Sequence, residues 1–280
     1  MRRPRRLTVA VACAAALGLP ALAYAATTTI SISGATASFP LIELLTVKYR
    51  QLKKNKITFK VAQGGATVGI QDAAAGRVSI GDSSRPPQSS DPAGLVFYPI
   101  AQYFVCVVTN PANPISNLTA AQASQIFTGK VRNWSQVSGA RATGPIDVYS
   151  RTSVAGVLTT FQNTLLGGAK VGSFATQQPS EGLLQNAIKK DPQGIGFLSD
   201  YFALAKSVYA VGYNGTSCSV PNVVSGAYPG SSDFYEVTKG TASGQVEAFI
   251  YWVQTSSTAK KIIQSNWIPL SKIGPPLKTG

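Results

Sequence analysis

The stretch ISISGATASFPLIELL, residues 30–45, sets the fold of this chain. Ile30 to Ser33 alternates apolar and small polar residues, the period of a half-buried strand. Small residues and hydroxyls follow to Ser38, and Phe39-Pro40 then opens a helix where proline is tolerated. That helix is expected to carry Leu41, Ile42, Leu44, Leu45 and Val47 on one side. The same order of strand, small-residue loop and helix returns twice. Lys56 to Ala62 (KITFKVA) alternates as a strand, Gln63 to Gly69 (QGGATVG) is the loop, and Ile70 to Ala75 reads as helix. Ile146 to Tyr149 is a strand and Ser150 to Gly156 (SRTSVAG) the loop. The helix after it shows Val154, Leu158, Phe161 and Leu165 on one face, and Gly167-Gly168 ends it.

Elsewhere, Val96 to Val108 is a long strand region and Ile195 to Leu198 another strand. Thr119 followed by Gln122 makes a capping box before Ile126 and Phe127, with Gly129 as the stop. A last helix is expected from about Val246 to Ser265. Such alternation predicts an α/β architecture with mainly parallel sheets. In an open α/β sheet the loops at strand C-termini face one crevice. A hydroxyl before a helix is ordinarily no more than an N-cap. Three such starts, each after a strand, would aim free backbone N–H groups and three helix dipoles at one point. Arg151, at the head of the third loop, adds a fixed cation, the pairing that grips an oxyanion.

Charge and composition narrow the partners. Arg2, Arg3, Arg5 and Arg6, an apolar run from Leu7 to Leu22 and Ala23-Tyr24-Ala25 together read as a cleaved secretory signal over residues 1–25. Cys13 lies inside the apolar run and is not read as a lipid anchor. The mature chain keeps 21 Lys and Arg against 11 acids, a net charge near +10, which favours anionic partners. The densest basic cluster, Lys48 to Lys54, reads as a solvated helix end, and secretion argues against nucleic acid. Cys106 and Cys218 are an even pair that either bridges or stays as two buried thiols. The chain has 0 His, which excludes Ser-His-Asp and Cys-His hydrolases and leaves no zinc ligand set. A phosphatase would need a metal-and-carboxylate centre, and the acids do not cluster that way. No cofactor is implied, and the chain is read as a non-enzyme.

Several blocks resemble one family in the right order. SGATASFPLIELLTVKY is similar to the opening loop and first helix of PstS-like phosphate-binding proteins, the periplasmic receptors of ABC-type phosphate import. GGATVGIQDAAAGRVSIGDSSRPP resembles their second loop, helix and serine-rich strand end. NPANPISNLTAAQASQIFTGKVRNWSQVSG, IKKDPQGIGFLSDYFA and AFIYWVQTSSTAKKIIQSNWIPL follow, so the resemblance covers nearly the whole mature chain. It implies a two-lobed type II periplasmic-binding fold, mixed sheets flanked by helices, with the anion held in a cleft between lobes. Lobe one would be about residues 26–107 plus 200–280, and lobe two about 108–199. The implied protein is a periplasmic monomer, with export beyond the periplasm left open, that binds phosphate or a similar oxyanion and delivers it to an ABC permease.

Carried over residue by residue, the resemblance names Ser38 and Phe39 in the first loop, Ala66 and Thr67 in the second, Ser83 at the strand end, and Arg151 with Gly156 in the third. Ala155 and Val157 replace the hydroxyl residues expected beside that glycine. Each hydrogen bond to a charged group is worth roughly 1.5–3 kcal/mol, so two losses cost about two to four decades of affinity. Ser84 stands where phosphate-selective members place a carboxylate that accepts the anion's proton. Asp82, about 7 Å away along the strand, or Glu181 could take that role, and Arg85 could add a second cation. The plainer reading of Asp82 and Arg85 is a surface ion pair. These departures keep open an alternative, an exported PstS-like scavenger or surface protein with a weakened site and no transport role.

Overall fold

The structure is a computed structural model that describes residues 28–280; the expected leader over 1–25 lies outside the described residues. The quoted stretch forms β1 (Thr28–Gly34) and α1 (Phe39–Leu52), and the second unit forms β2 (Ile57–Gln63) and α2 (Ala66–Ala74). β3 (Ile80–Ser83) and the long β4 (Leu95–Thr109) follow. The middle of the chain adds β5 (Asn117–Leu118), α3 (Ala120–Phe127), β6 (Asp147–Arg151), α4 (Gly156–Leu165), β7 (Thr176–Gln178), α5 (Glu181–Lys190) and β8 (Gly194–Ser199). The chain then returns through α6 (Asp200–Ala203), β9 (Tyr209–Ala210), β10 (Gly212–Tyr213) and α7 (Val220–Val224). β11 (Ser231–Lys239), α8 (Gly244–Thr255), α9 (Ser257–Gln264) and β12 (Leu277–Lys278) close it.

One sheet runs β2-β1-β3-β11-β4-β8-β6-β7, with β9 and β12 also paired to β4. The expectation of mainly parallel pairing holds at the two wings and in a separate β5–β10 pair but not at the centre of the sheet. β1 runs parallel to β2 and β3, and β6 parallel to β7 and β8, whereas β4 is antiparallel to β8, β9, β11 and β12. The antiparallel centre arises because β4 and β11 run between the wings in opposite directions. Residues 95–104 of β4 pair with β11, and Val105 onward pairs with β8. β9 joins that second half of β4, so residues 209–210 sit with the middle of the chain rather than with the first wing.

Packing follows helical period more closely than the first reading of α1 allowed. Leu41, Ile42, Leu45, Thr46 and Tyr49 are its buried residues, whereas Leu44 and Val47 are each 46% exposed. Positions four apart share a face, so 41, 45 and 49 meet the sheet and 44 and 47 point away. Thr119 and Gln122 form both halves of the capping box, and Ile126 and Phe127 are fully buried. The expected last helix is two helices. Ser256 has extended backbone (φ −75°, ψ 132°), ends α8 and caps α9 by accepting from the Thr258 N–H. Cys106 and Cys218 are joined as a disulfide across 112 residues, tying β4 to the segment before α7.

Candidate functional site

Three helix starts meet as the sequence suggests. α1, α2 and α4 begin at Ser38, Gly65 and Ala155, and none has a side chain capping its first N–H groups. Those donors would be left unsatisfied in a buried helix start unless something else accepts from them. A narrow gap, with no free space even for a water molecule, lies where the loops meet. Its walls are Ala35, Thr36 and Ala37 from the first loop, Gly65 and Ala66 from the second, and Ser84 after β3. Arg151, Ala155, Gly156 and Val157 complete it from the third.

The loops touch closely enough to dictate residue size. Gly65 has φ +100°, and a Cβ there would lie 2.9 Å from both the Cγ2 and the carbonyl oxygen of Val154. A Cβ on Gly156 would stand 2.6 Å from the Ser84 hydroxyl oxygen. The second and third loops are also joined by the Thr67 N–H, which donates to the Val154 carbonyl at 3.0 Å. Beneath them Tyr103, stacked on Phe234 at 4.3 Å, donates its hydroxyl to the Ser84 carbonyl at 2.6 Å and bonds the Thr160 hydroxyl at 2.9 Å. Burial, first of all, pushes its phenol far above the usual range, so it stays a donor.

Arg151 is 1% exposed and held from three sides. Its Nε donates to the Gln178 carbonyl at 3.1 Å, one Nη to Glu181 at 2.7 Å and the other Nη to the Pro179 carbonyl at 3.0 Å. A guanidinium has five N–H donors, so one remains on each Nη for a ligand. The second Glu181 oxygen accepts from the Ser199 N–H at 2.8 Å and its hydroxyl at 3.0 Å. Both oxygens of Glu181 are thus taken, and it stands behind Arg151 as its counter-ion rather than in the gap. Because Glu181 balances that charge, attraction for an anion falls on the helix N–H groups and the two spare guanidinium donors.

Of the residues named from sequence, Ala66, Ser84, Arg151 and Gly156 line the gap. Ser38, Phe39, Thr67, Ser83, Arg85 and Glu181 do not. Ser38 is fully buried, and its hydroxyl donates to the Asp82 carboxylate and to the Ala35 carbonyl at 3.2 Å. Phe39 is half-buried in the first turn of α1. The Ser83 hydroxyl donates to the Arg85 carbonyl at 2.8 Å, closing a local turn. Asp82 and Arg85 are not a surface pair: each is 3% exposed, and Arg85 forms a two-pronged bond to Asp91 at 2.8 and 2.7 Å. The sequence reading missed Thr36 and Tyr103. Thr36 accepts from the Glu181 N–H at 3.4 Å, which leaves its own O–H free to donate. Its place within the same small-residue loop as Ser38 was the available signal; Tyr103 offered none.

Comparison with known proteins agrees with this geometry. Residues 22–257 match the PBP superfamily domain. The phosphate-binding protein PstS of Bacillus subtilis is 26% identical over 86% of this chain and 81% of its own length. A crystal structure from Clostridium perfringens, assigned as a phosphate ABC transporter substrate-binding protein with bound phosphate, superposes with a TM-score of 0.82. It is 26% identical and is matched over 87% of this chain and 100% of its own. An ABC-type phosphate transport receptor from Vibrio cholerae gives a TM-score of 0.70 at 26% identity, over 87% of this chain and 100% of its own. The chain therefore belongs to the PBP superfamily, as a PstS-like member with the two-winged α/β fold of those receptors.

Proposed function

We propose that this chain is the substrate-binding protein of an ABC-type phosphate uptake system, holding one phosphate at Arg151 in the space that opens there when the two wings part. The observation that carries this is the meeting of three helix N-termini, none capped by a side chain, beside a buried arginine with two spare donors. Backbone N–H groups and helix dipoles hold an anion without any further lysine. The hydroxyls of Thr36 and Ser84 stand in for those lost at Ala155 and Val157. The reading is of a binder rather than an enzyme: the relatives named above are binding proteins, and among the described residues no general base lines the gap.

The two wings would act as lobes, about residues 26–107 with most of 200–280 and residues 108–199 joined by β9, closing on the anion by bending at the strands that run between them. The Thr67–Val154 bond would then form on closure. Periplasmic residence and delivery to a permease follow from the same reading. No carboxylate lines the gap among the described residues, so no charged acceptor there takes the proton that separates hydrogen phosphate from sulfate. Sulfate should therefore compete. Calorimetric titration of the purified chain with phosphate tests the proposal: one saturable site supports it, and no heat from a folded protein sinks it.

A further inference from the structure

A second group of ionisable residues lies just beneath the gap. Glu236 on β11 is the register partner of Asp82 on β3, which sets both side chains on one face of the sheet. Glu236 is 0% and Asp82 3% exposed. One Asp82 oxygen receives the Ser38 hydroxyl. The other, and both oxygens of Glu236, have no partner among the described residues. The surroundings supply no cation. β1 places Gly34 opposite Asp82, and β4 places Tyr98 opposite Glu236, its hydroxyl accepting from the Ala242 N–H at 2.8 Å. The buried residues of α1 are uncharged, and those of α8 are Phe249, Ile250 and Val253. The ion pairs of the described residues use Arg77, Arg85 and Arg151, with other acids.

Two bare carboxylates side by side in such a place are prohibitively costly, and the pair resolves this by keeping a proton. A protonated carboxyl donating to its neighbour would also give two of the three unpartnered oxygens a partner. Burial first, and the mutual repulsion second, push Glu236 well above the carboxylate range, and burial raises Asp82 as well.

We propose that Asp82 and Glu236 hold one proton between them and take up a second when an oxyanion settles in the gap, so that anion binding is coupled to protonation of a buried carboxyl pair. The inference rests on the anion-binding reading above. Its link to the gap is short: the Asp82 carbonyl accepts the N–H of Ala35, a wall residue, at 2.9 Å, and Ser84 lies two residues on. The pair also holds Ser38 at the start of α1, keeping that hydroxyl off the helix N–H groups that face the anion. The residual negative charge under the first loop opposes an arriving anion, and a proton drawn from solvent removes it. Asp82 and Glu236 are positioning residues; neither touches the ligand.

The test is phosphate calorimetry at about pH 7 in buffers of different ionisation heat, which counts protons exchanged per anion bound. Wild type is compared with Glu236→Gln and Asp82→Asn, both of nearly unchanged shape. The titration of phosphate itself contributes equally to all three and cancels. Wild type should take up more protons per phosphate than either variant, by a fraction of one. Equal counts in proteins that all bind phosphate overturn the coupling while leaving the anion site intact. No binding by wild type overturns the anion site and the coupling together. Should either variant fail to fold, carboxyl ¹³C titration of wild type decides: phosphate must raise the midpoints of both carboxyls, and unmoved midpoints refute the proposal.

Discussion

At Val157 the gap presents a methyl pair at the start of α4, 1% exposed and within the wall. Threonine has nearly the same shape, so Val157→Thr adds a hydroxyl without displacing neighbours. One more hydrogen bond to a charged group is worth roughly 1.5–3 kcal/mol, so phosphate affinity should rise by about one to two decades in calorimetry. Arg151 pulls the other way. Arg151→Gln removes both spare donors and also strands Glu181, whose removal from its partner costs about 3–5 kcal/mol of stability for a buried pair. Pairing it with Glu181→Gln should restore much of the unfolding free energy in denaturant melts but none of the affinity. That split separates a ligand-binding arginine from a merely structural one.

Among the elements, closure of the second loop on the third depends on glycine at 65. Gly65→Ala forces an L side chain into φ +100° and against Val154, so phosphate affinity should drop at least tenfold. The disulfide fixes a different pair of elements, and removing it as Cys106→Ala with Cys218→Ala should cost about 2–5 kcal/mol in equilibrium unfolding. Elements with strong local signals were legible in the sequence: β1, β2, α1, β4 and the Thr119 capping box all stand where pattern and caps put them. β11 was not, because SSDFYEVTK carries Asp and Glu, and only its central place in the sheet buries Glu236. The break at Ser256 was hidden within a run that stays apolar on one side. At the site, Arg151 and Gly156 were readable because the arginine-led loop fixes both. Thr36 could not be told from Ser38, since both lie in the turn before α1 and only its tertiary path decides which hydroxyl faces the gap and which turns inward to Asp82. Tyr103 acts only through residues distant in sequence, Ser84 and Thr160.

For the molecule as a whole, the buried acids set the pH response. Asp82 is raised to about 7 by burial, and Asp200 and Glu236 are also raised by burial, each further by a neighbouring acid. A carboxyl with a raised folded pKa keeps a proton that the unfolded chain has already lost. Its stabilising contribution is whole below the ordinary range near 4 and fades as pH climbs through the folded value. Through Asp82, stability should therefore fall between about pH 4 and 7, by up to about 1.4 kcal/mol per pH unit for the proton retained, with Asp200 and Glu236 adding to the fall in the same direction. Glu236→Gln should flatten that slope in denaturant melts; an unchanged slope would rule the pair out as its source. The most direct measurement remains phosphate titration of the folded, phosphate-stripped chain, repeated with excess sulfate. One saturable phosphate site that sulfate displaces, and that Arg151→Gln with Glu181→Gln abolishes, is the predicted result. Binding that survives those substitutions, or no binding at all, would contradict an oxyanion site at the meeting of the three helices.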